Sequence, residues 1–253
     1  MTQSKALKYP DLEMVYRQCS GPGGLKLAEF LADKLDLQSG QVLLDVGFNR
    51  GYQTCFLAKE YPVFVVGIDP WPDRSDGRPH VEHLMDNARA WGVERQVLGV
   101  QVGLPDTHFA DASFDAIYTT TTMEMIRGMQ GEAMYRTCLG ELFRLLRPGG
   151  RLALGEPMHF DVPVPEDLAP IMPPGDPSWE DCFTTIDRSV ESVRSQGFEI
   201  LEADYAPDAH PWWLEYAQYD PGCRADPEGE PRAIAVDGGR WLSFGYVIAR
   251  KPA

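Results

Sequence analysis

The sequence predicts a doubly wound α/β fold on a mostly parallel sheet, and three observations carry that reading. Short apolar runs closed by glycine, an acid or a polar pair recur along the chain: QVLLDVG, VFVVGID, VLGVQVG, FDAIYTT and RLALGEP. Segments of helical periodicity separate most of them. The length of 253 residues suits one well-buried domain. Strands that are apolar throughout are buried on both faces, and their alternation with helices makes the sheet parallel.

The first 40 residues read as helical, with apolar positions in GGLKLAEFLADKLDL at helical spacing and Ser39-Gly40 as the stop. QVLLDVG is the first strand, GYQTCFLAKEY a helix, VFVVGID the second strand, HVEHLMDNARAWG a helix and VLGVQVG the third strand. FDAIYTT is the fourth strand. GEAMYRTCLGELFRLL is an amphipathic helix stopped by Pro148-Gly149-Gly150, and RLALGEP is the fifth strand. Residues 157–179 are proline-rich and read as an irregular excursion. IDRSVESVRSQG is a helix, FEILEADY a strand and WLSFGYVIARK the closing strand. Residues 206–240 carry many Pro, Gly and acidic residues and read as a long loop, of the kind that is usually functional. Both excursions are expected to form a lid, not a second domain.

The net charge of -15 and the lack of a basic stripe argue against a nucleic-acid partner. No stretch approaches the roughly 20 apolar residues of a membrane span. The N-terminal residues lack the apolar core and cleavage site of a secretory signal. Cys19, Cys55, Cys138, Cys182 and Cys223 are scattered and form no CxxC pair, which suits a reducing, cytoplasmic setting.

The first strand ends in Asp45-Val46-Gly47-Phe48-Asn49-Arg50-Gly51 and a helix follows. A glycine turn there lets a ligand approach the backbone. The second strand ends in Asp69, 18 residues beyond Gly51, where a Rossmann-type acid accepts hydrogen bonds from ribose hydroxyls. The turn does not follow the G-x-G-x-x-G pattern that NAD binders favour.

From about residue 20 to 155 the chain resembles the class I S-adenosylmethionine-dependent methyltransferases. LLDVGFNRG is similar to the family's first motif, VVGIDP to its second and ASFDAIYTTTTMEMI to its fourth-strand motif. LFRLLRPGGRLAL is similar to the helix, turn and fifth strand that follow, and GPGGLKLAEFLADKL to a lead-in helix of some members. The resemblance implies a Rossmann-like seven-stranded sheet with an antiparallel last strand, S-adenosylmethionine as cofactor, and methyl transfer to a small molecule at an N, O, S or C atom. It divides a single domain 1–253 into an N-terminal helical cap (1–40), a cofactor-binding core (41–156), substrate-side insertions (157–240) and the closing strand (241–253).

By the same resemblance Asp45 and Gly47 lie near the methionine end of the cofactor, and Gly51 permits close helix packing. Asp69 holds the ribose. Pro70 and Trp71 flank the adenine on one side, Gly103 and Leu104 on the other, and Thr120 faces the methionine moiety. The chain departs from the family pattern at Phe48 and Asn49, where small residues are usual, and at Gly103, where an acid is common. Asn49 suits a left-handed turn better than most residues.

In-line methyl transfer needs alignment first, and a base only where the acceptor must lose a proton. The candidates are Glu124 after the fourth strand, and Glu156 and His159 after the fifth. Each has a structural alternative: Glu124 ties down a helix, and His159 is a satisfied loop histidine. Trp212, Trp213 and Tyr216 in HPWWLEY either wall an apolar or cationic pocket or anchor the lid to the sheet. Trp179 and Phe183 belong to the same cover. His80 and His83 have a spacing seen in metal pairs, but no third ligand is apparent, and no metal is expected. The competing reading of the whole chain is a non-catalytic binding protein on the same fold. The pocket decides between the two: a Phe48 ring in the methionine site would remove the enzyme reading.

Overall fold

Residues 4–173, 175 and 177–253 are described by a computed structural model. Seven strands build one sheet: β1 (Val42–Val46), β2 (Phe64–Ile68), β3 (Val97–Val100), β4 (Phe114–Thr120), β5 (Leu146–His159), β6 (Glu199–Tyr205) and β7 (Leu242–Arg250). Their order is β3-β2-β1-β4-β5-β7-β6. The first five pair in parallel, and β7 runs antiparallel between β5 and β6. The strand order therefore reverses at β1, with β2 on one side and β4 on the other. That reversal opens a crevice outside the carboxyl ends of the strands. Register brings those ends to one edge: Val46 pairs with Ile68 and Thr119, Ile68 with Val100, and Thr120 with Gly155.

Successive strand residues point to opposite faces, and each face meets its own helical layer. Leu43 and Val65 join a core with Leu27 and Leu31 of α2 (Gly24–Leu35), Phe56 of α3 (Tyr52–Glu60) and Leu84 of α4 (His80–Trp91). The short α1 (Leu12–Gln18) precedes them, capped by the Asp11 side chain on Met14 N–H. On the other face Leu44, Val66 and Leu154 meet Tyr135, Leu139 and Leu142 of α5 (Met123–Leu145). Val193 of α7 (Ile186–Ser195) belongs to the same layer. Each such fully buried side chain contributes about 1.5–3 kcal/mol.

Two elements differ from the sequence expectation. Helix α5 begins at Met123, one turn after β4, and two helical pieces meet at Gly131, whose φ of 83° breaks the run. Residues 206–240 are not a loop: they hold α8 (Ala209–Tyr219), α9 (Pro221–Ala225) and α10 (Glu230–Asp237). The physical reason is in the residues that suggested a loop. Pro221 opens α9 while the Asp220 carboxylate accepts the N–H groups of Gly222 and Cys223, and Pro231 sits in the first turn of α10. Proline there loses nothing, because the first-turn N–H has no helical partner. A third core joins α8 and α10 to α6 (Trp179–Cys182) through Trp179, Phe183, Trp213, Ile234 and Trp241. The expected excursion over 157–179 includes positions 174 and 176, which lie outside the described residues. Among the described residues, no helix is long and apolar enough to cross a membrane.

Candidate functional site at the carboxyl edge of the sheet

The turn after β1 takes a left-handed path. Gly47 has φ 77°, and a Cβ there would collide with the Thr122 side chain. Asn49 follows at φ 52°. That conformation aims its N–H at Asp69, which accepts it at Oδ2 over 2.9 Å. The Trp71 N–H donates to Asp69 Oδ1, also over 2.9 Å. The turn and the end of β2 are thus joined through one carboxylate. Asp45 is buried and accepts a 2.6 Å hydrogen bond from the Thr54 hydroxyl. Burial pushes its carboxyl up to about 7, and the Thr54 hydroxyl opposes that. At the ends of β2 and β3, Pro70 and Gly103 meet so closely that a Cβ on Gly103 would lie 2.9 Å from Pro70 Cγ. Trp71 stands 59% exposed beside them, and Leu104 is half-buried against the second core.

Phe48 does not occupy this edge. Its ring is 5% exposed and belongs to the core of α2–α4. It lies over Gly67 of β2, where a Cβ would stand 2.7 Å from Phe48 Cδ1. A glycine in mid-strand makes the space that the large residue fills.

The other candidates sort by face of the sheet. Thr120 ends β4, buried, with Oγ1 free of a partner. Glu124 and Glu156 lie with Arg127 in a buried group beneath α5 and α7. Glu156 accepts from Tyr135 Oη at 3.1 Å and Ser189 Oγ at 3.4 Å, and Arg127 Nη2 stands 3.6 Å away. Arg127 also donates to the Cys182 carbonyl, tying α5 to α6, and its guanidinium covers the Tyr135 ring at 3.7 Å. Burial raises both carboxyls, Glu124 more strongly because Glu156 repels its charge, while Arg127 opposes the rise in each.

His159 is engaged elsewhere: Nδ1 bonds the Phe160 carbonyl at 2.8 Å, and the ring stacks on Trp241 at 4.8 Å. Trp212 and Trp213 stand on a helix with both indoles packed inside. Trp212 meets Phe30 and Phe244 edge-on, and Trp213 donates Nε1–H to the Ser243 carbonyl over 3.0 Å. Tyr216 donates to Glu230 at 3.0 Å. The two histidines of HVEH part company: His80 Nδ1 lies 3.0 Å from Asp69 Oδ1, and His83 faces Asp76 at 3.2 Å. The donor atoms of Asp73, Asp76 and His83 fall within 4.8 Å of one another, but Arg50 already pairs with Asp73 at 2.6 Å.

Sequence reasoning missed Thr54, Arg127, Tyr135 and Ser189, and noticed His80 only as a metal candidate. Nothing in the local pattern marks them, because each acquires its partner through tertiary packing.

Six buried side-chain polar atoms lack a hydrogen-bond partner among the described residues: His80 Nδ1, Tyr118 Oη, Thr120 Oγ1, Glu124 Oε2, Arg127 Nη2 and Glu156 Oε1. Tyr118, Thr120 and Glu156 stand on β4 and β5, Glu124 and Arg127 on α5, and His80 on α4. Arg127 Nη2 faces Glu156 Oε2 at 3.6 Å and His80 Nδ1 stands 3.0 Å from Asp69 Oδ1; Thr120 Oγ1 is the orphan that lies at a strand end itself. Asp69 has spent two of its roughly four lone-pair sites on backbone N–H groups, which leaves room for a ribose diol. A parallel sheet with this switch point, turn and acid defines a nucleoside-cofactor-binding α/β protein.

The comparisons make the class specific. Residues 44–154 match the model of a family described as a methyltransferase domain. The chain is 28% identical over 240 residues to the 27-O-demethylrifamycin SV methyltransferase of Amycolatopsis mediterranei (strain S699), covering 90% of this chain and 83% of that protein. It is 30% identical over 140 residues to phosphoethanolamine N-methyltransferase 1 of Arabidopsis thaliana, covering 53% of this chain. It spans only about a quarter (24%) of the plant protein's length. An S-adenosylmethionine-dependent methyltransferase from Thiobacillus denitrificans, solved with S-adenosylhomocysteine, shares the fold at a TM-score of 0.68 and 20% identity, covering 98% of this chain and 99% of that one. These matches support a class I S-adenosylmethionine-dependent methyltransferase, and the residues at the carboxyl edge fit that cofactor.

Proposed function

We propose that this chain transfers a methyl group from S-adenosylmethionine to a small-molecule acceptor. The observation that carries the reading is the meeting of the Gly47–Asn49 turn with Asp69 at one sheet edge, with Phe48 drawn into the core. In this reading Asp45, Gly47 and Asn49 form the methionine side of the site, with Thr120 opposite, while Gly51 lets α4 pack closely through Leu84. Asp69 takes the ribose hydroxyls, and Pro70, Trp71, Gly103 and Leu104 frame the adenine. The cofactor supplies an electrophilic methyl on a sulfonium. The protein contributes alignment, which is the larger part of an in-line displacement.

Glu124 is the proposed proton acceptor for an acceptor group that must lose a proton. Glu156, held by Arg127 and Tyr135, sets the charge beside it. His159 ranks below both, since its Nδ1 and ring face are already engaged. Trp212, Trp213 and Tyr216 act here by seating α8 on the sheet and on α10. Names among the relatives support a small acceptor: one acts on a demethylrifamycin, and another is an O-methyltransferase from Aspergillus nomiae, 30% identical over 161 residues. The charge of -15 speaks against a nucleic-acid acceptor. Five free, buried cysteines support a reducing, cytoplasmic setting.

The test is transfer of labelled methyl from S-adenosylmethionine to a panel of small hydroxyl, amine and thiol acceptors. Label should appear in at least one product, and Glu124→Gln should slow that transfer by about 10²-fold or more. Tight S-adenosylhomocysteine binding with no transfer to any acceptor would favour the binding-protein reading.

A further inference from the structure

The HVEH segment starts α4, directly after the loop that follows Asp69. That loop is closed on itself. Pro72 and Pro79 form an antiparallel bridge, the Asp73 N–H donates to the Arg78 carbonyl over 2.7 Å, and the His80 N–H reaches the Trp71 carbonyl at 3.2 Å. Arg50 clamps the loop from the other side, through Asp73 at 2.6 Å and Ser75 at 2.8 Å. His80 is thereby fixed at the first position of α4 with its imidazole against Asp69. Nδ1 lies 3.0 Å from Asp69 Oδ1, and Nε2 is 3.9 Å from Asp73 Oδ2, beyond hydrogen-bond range. Nδ1 is buried and has no aligned partner.

We propose that His80 is a positioning residue of the ribose site, its Nδ1–H bonding Asp69 Oδ1 and fixing the carboxylate plane together with the amides of Asn49 and Trp71. Nδ1 stands within hydrogen-bond distance of Asp69 Oδ1 but is not aligned on it, so the proposed bond needs a turn of the imidazole with the proton on Nδ1. The Asn49 amide holds Oδ2 and the Trp71 amide holds Oδ1, both nearly in the backbone's own frame. His80 comes from a third segment and would add a second bond at Oδ1, leaving the free lone pair of Oδ2 to a ribose hydroxyl. The inference rests on the reading of Asp69 as the ribose acid.

The experiment is calorimetric titration of S-adenosylhomocysteine into wild type, His80→Asn, His80→Gln, His80→Ala and Asp69→Ala, with melting temperatures of the unliganded proteins. The Asn amide nitrogen overlies the Nδ1 position, and the Gln amide nitrogen overlies Nε2. His80→Ala and His80→Gln should each weaken binding roughly ten- to hundredfold, the loss of one hydrogen bond to a charged group. His80→Asn should stay within about twofold of wild type, since it keeps that one donor. Equal loss in the Asn and Gln variants, or wild-type affinity in His80→Ala, would overturn the proposal. If Asp69→Ala weakens binding and the His80 variants do not, only the role of His80 fails. If wild type binds no S-adenosylhomocysteine, the cofactor reading fails and this inference fails with it.

Discussion

Substituting Gly67 by alanine should drive Phe48 out of the space that keeps it clear of the cofactor edge. The added Cβ would lie 2.7 Å from Phe48 Cδ1 and 3.3 Å from both Phe48 Cε1 and Leu84 Cδ2. No Cβ sits 2.7 Å from an aromatic carbon, so the ring must move, and Leu84 closes the route toward α4. Overpacking of this size costs about 1–3 kcal/mol. For a chain of this length each kcal/mol lowers the melting temperature by about 2–4 °C, so calorimetry should read a fall of about 2–12 °C. Moving Phe48 also tilts the Asn49 N–H away from Asp69, so S-adenosylhomocysteine should bind more weakly. Phe48→Leu in the same background should return part of both losses, because a smaller side chain shares the space with the new methyl. Wild-type stability in Gly67→Ala would refute the packing argument. Strict additivity of Gly67→Ala and Phe48→Leu would refute it equally, since residues in contact must couple.

Two further predictions test buried charge. Asp45 titrates at about 7 in the folded chain against an ordinary 3.8. The folded state therefore binds more protons than the unfolded one between those values. Its stabilising contribution is full below about pH 4 and is lost as pH rises toward 7, by about 1.4 kcal/mol per pH unit. Asp45→Asn should flatten this part of the stability profile, measured by denaturation at pH 4 to 8, and identical slopes in variant and wild type would contradict it. Arg127→Met leaves Glu156 buried without its cation and should cost about 3–5 kcal/mol in chemical denaturation. Adding Glu156→Gln should recover part of that cost, and a loss below about 1 kcal/mol would show that the pair is not coupled as its geometry implies.

The strands and the helices of the core were legible because burial on both faces leaves long apolar runs, and those runs end at glycine or acid. Asp45 and Asp69 were legible for the same reason: a strand end and a spacing place them. The outcome for Phe48 was not, because the residue that accommodates it, Gly67, belongs to another strand and becomes its neighbour only through β1–β2 pairing. Helices α8–α10 were misread as loop although Asp220-Pro221 carries a cap and a first-turn proline. Composition outweighed position in that reading. The double tryptophan could be read as pocket wall or as anchor, and only the fold shows the Trp213 N–H on Ser243 and the Trp212 indole between Phe30 and Phe244. His80 stood out in the sequence as a metal candidate, whereas the fold sets its ring beside Asp69 and pairs His83 with Asp76.

The central claim is that Asp69 and the turn that reaches it hold S-adenosylmethionine. Calorimetric titration of S-adenosylmethionine and S-adenosylhomocysteine into wild type and Asp69→Ala tests it most directly. Both ligands should bind wild type, and the variant should bind each more weakly by roughly 1–3 kcal/mol, the loss of hydrogen bonds from ribose hydroxyls to a charged acceptor. Equal affinity in both proteins, or no binding to wild type, would contradict it.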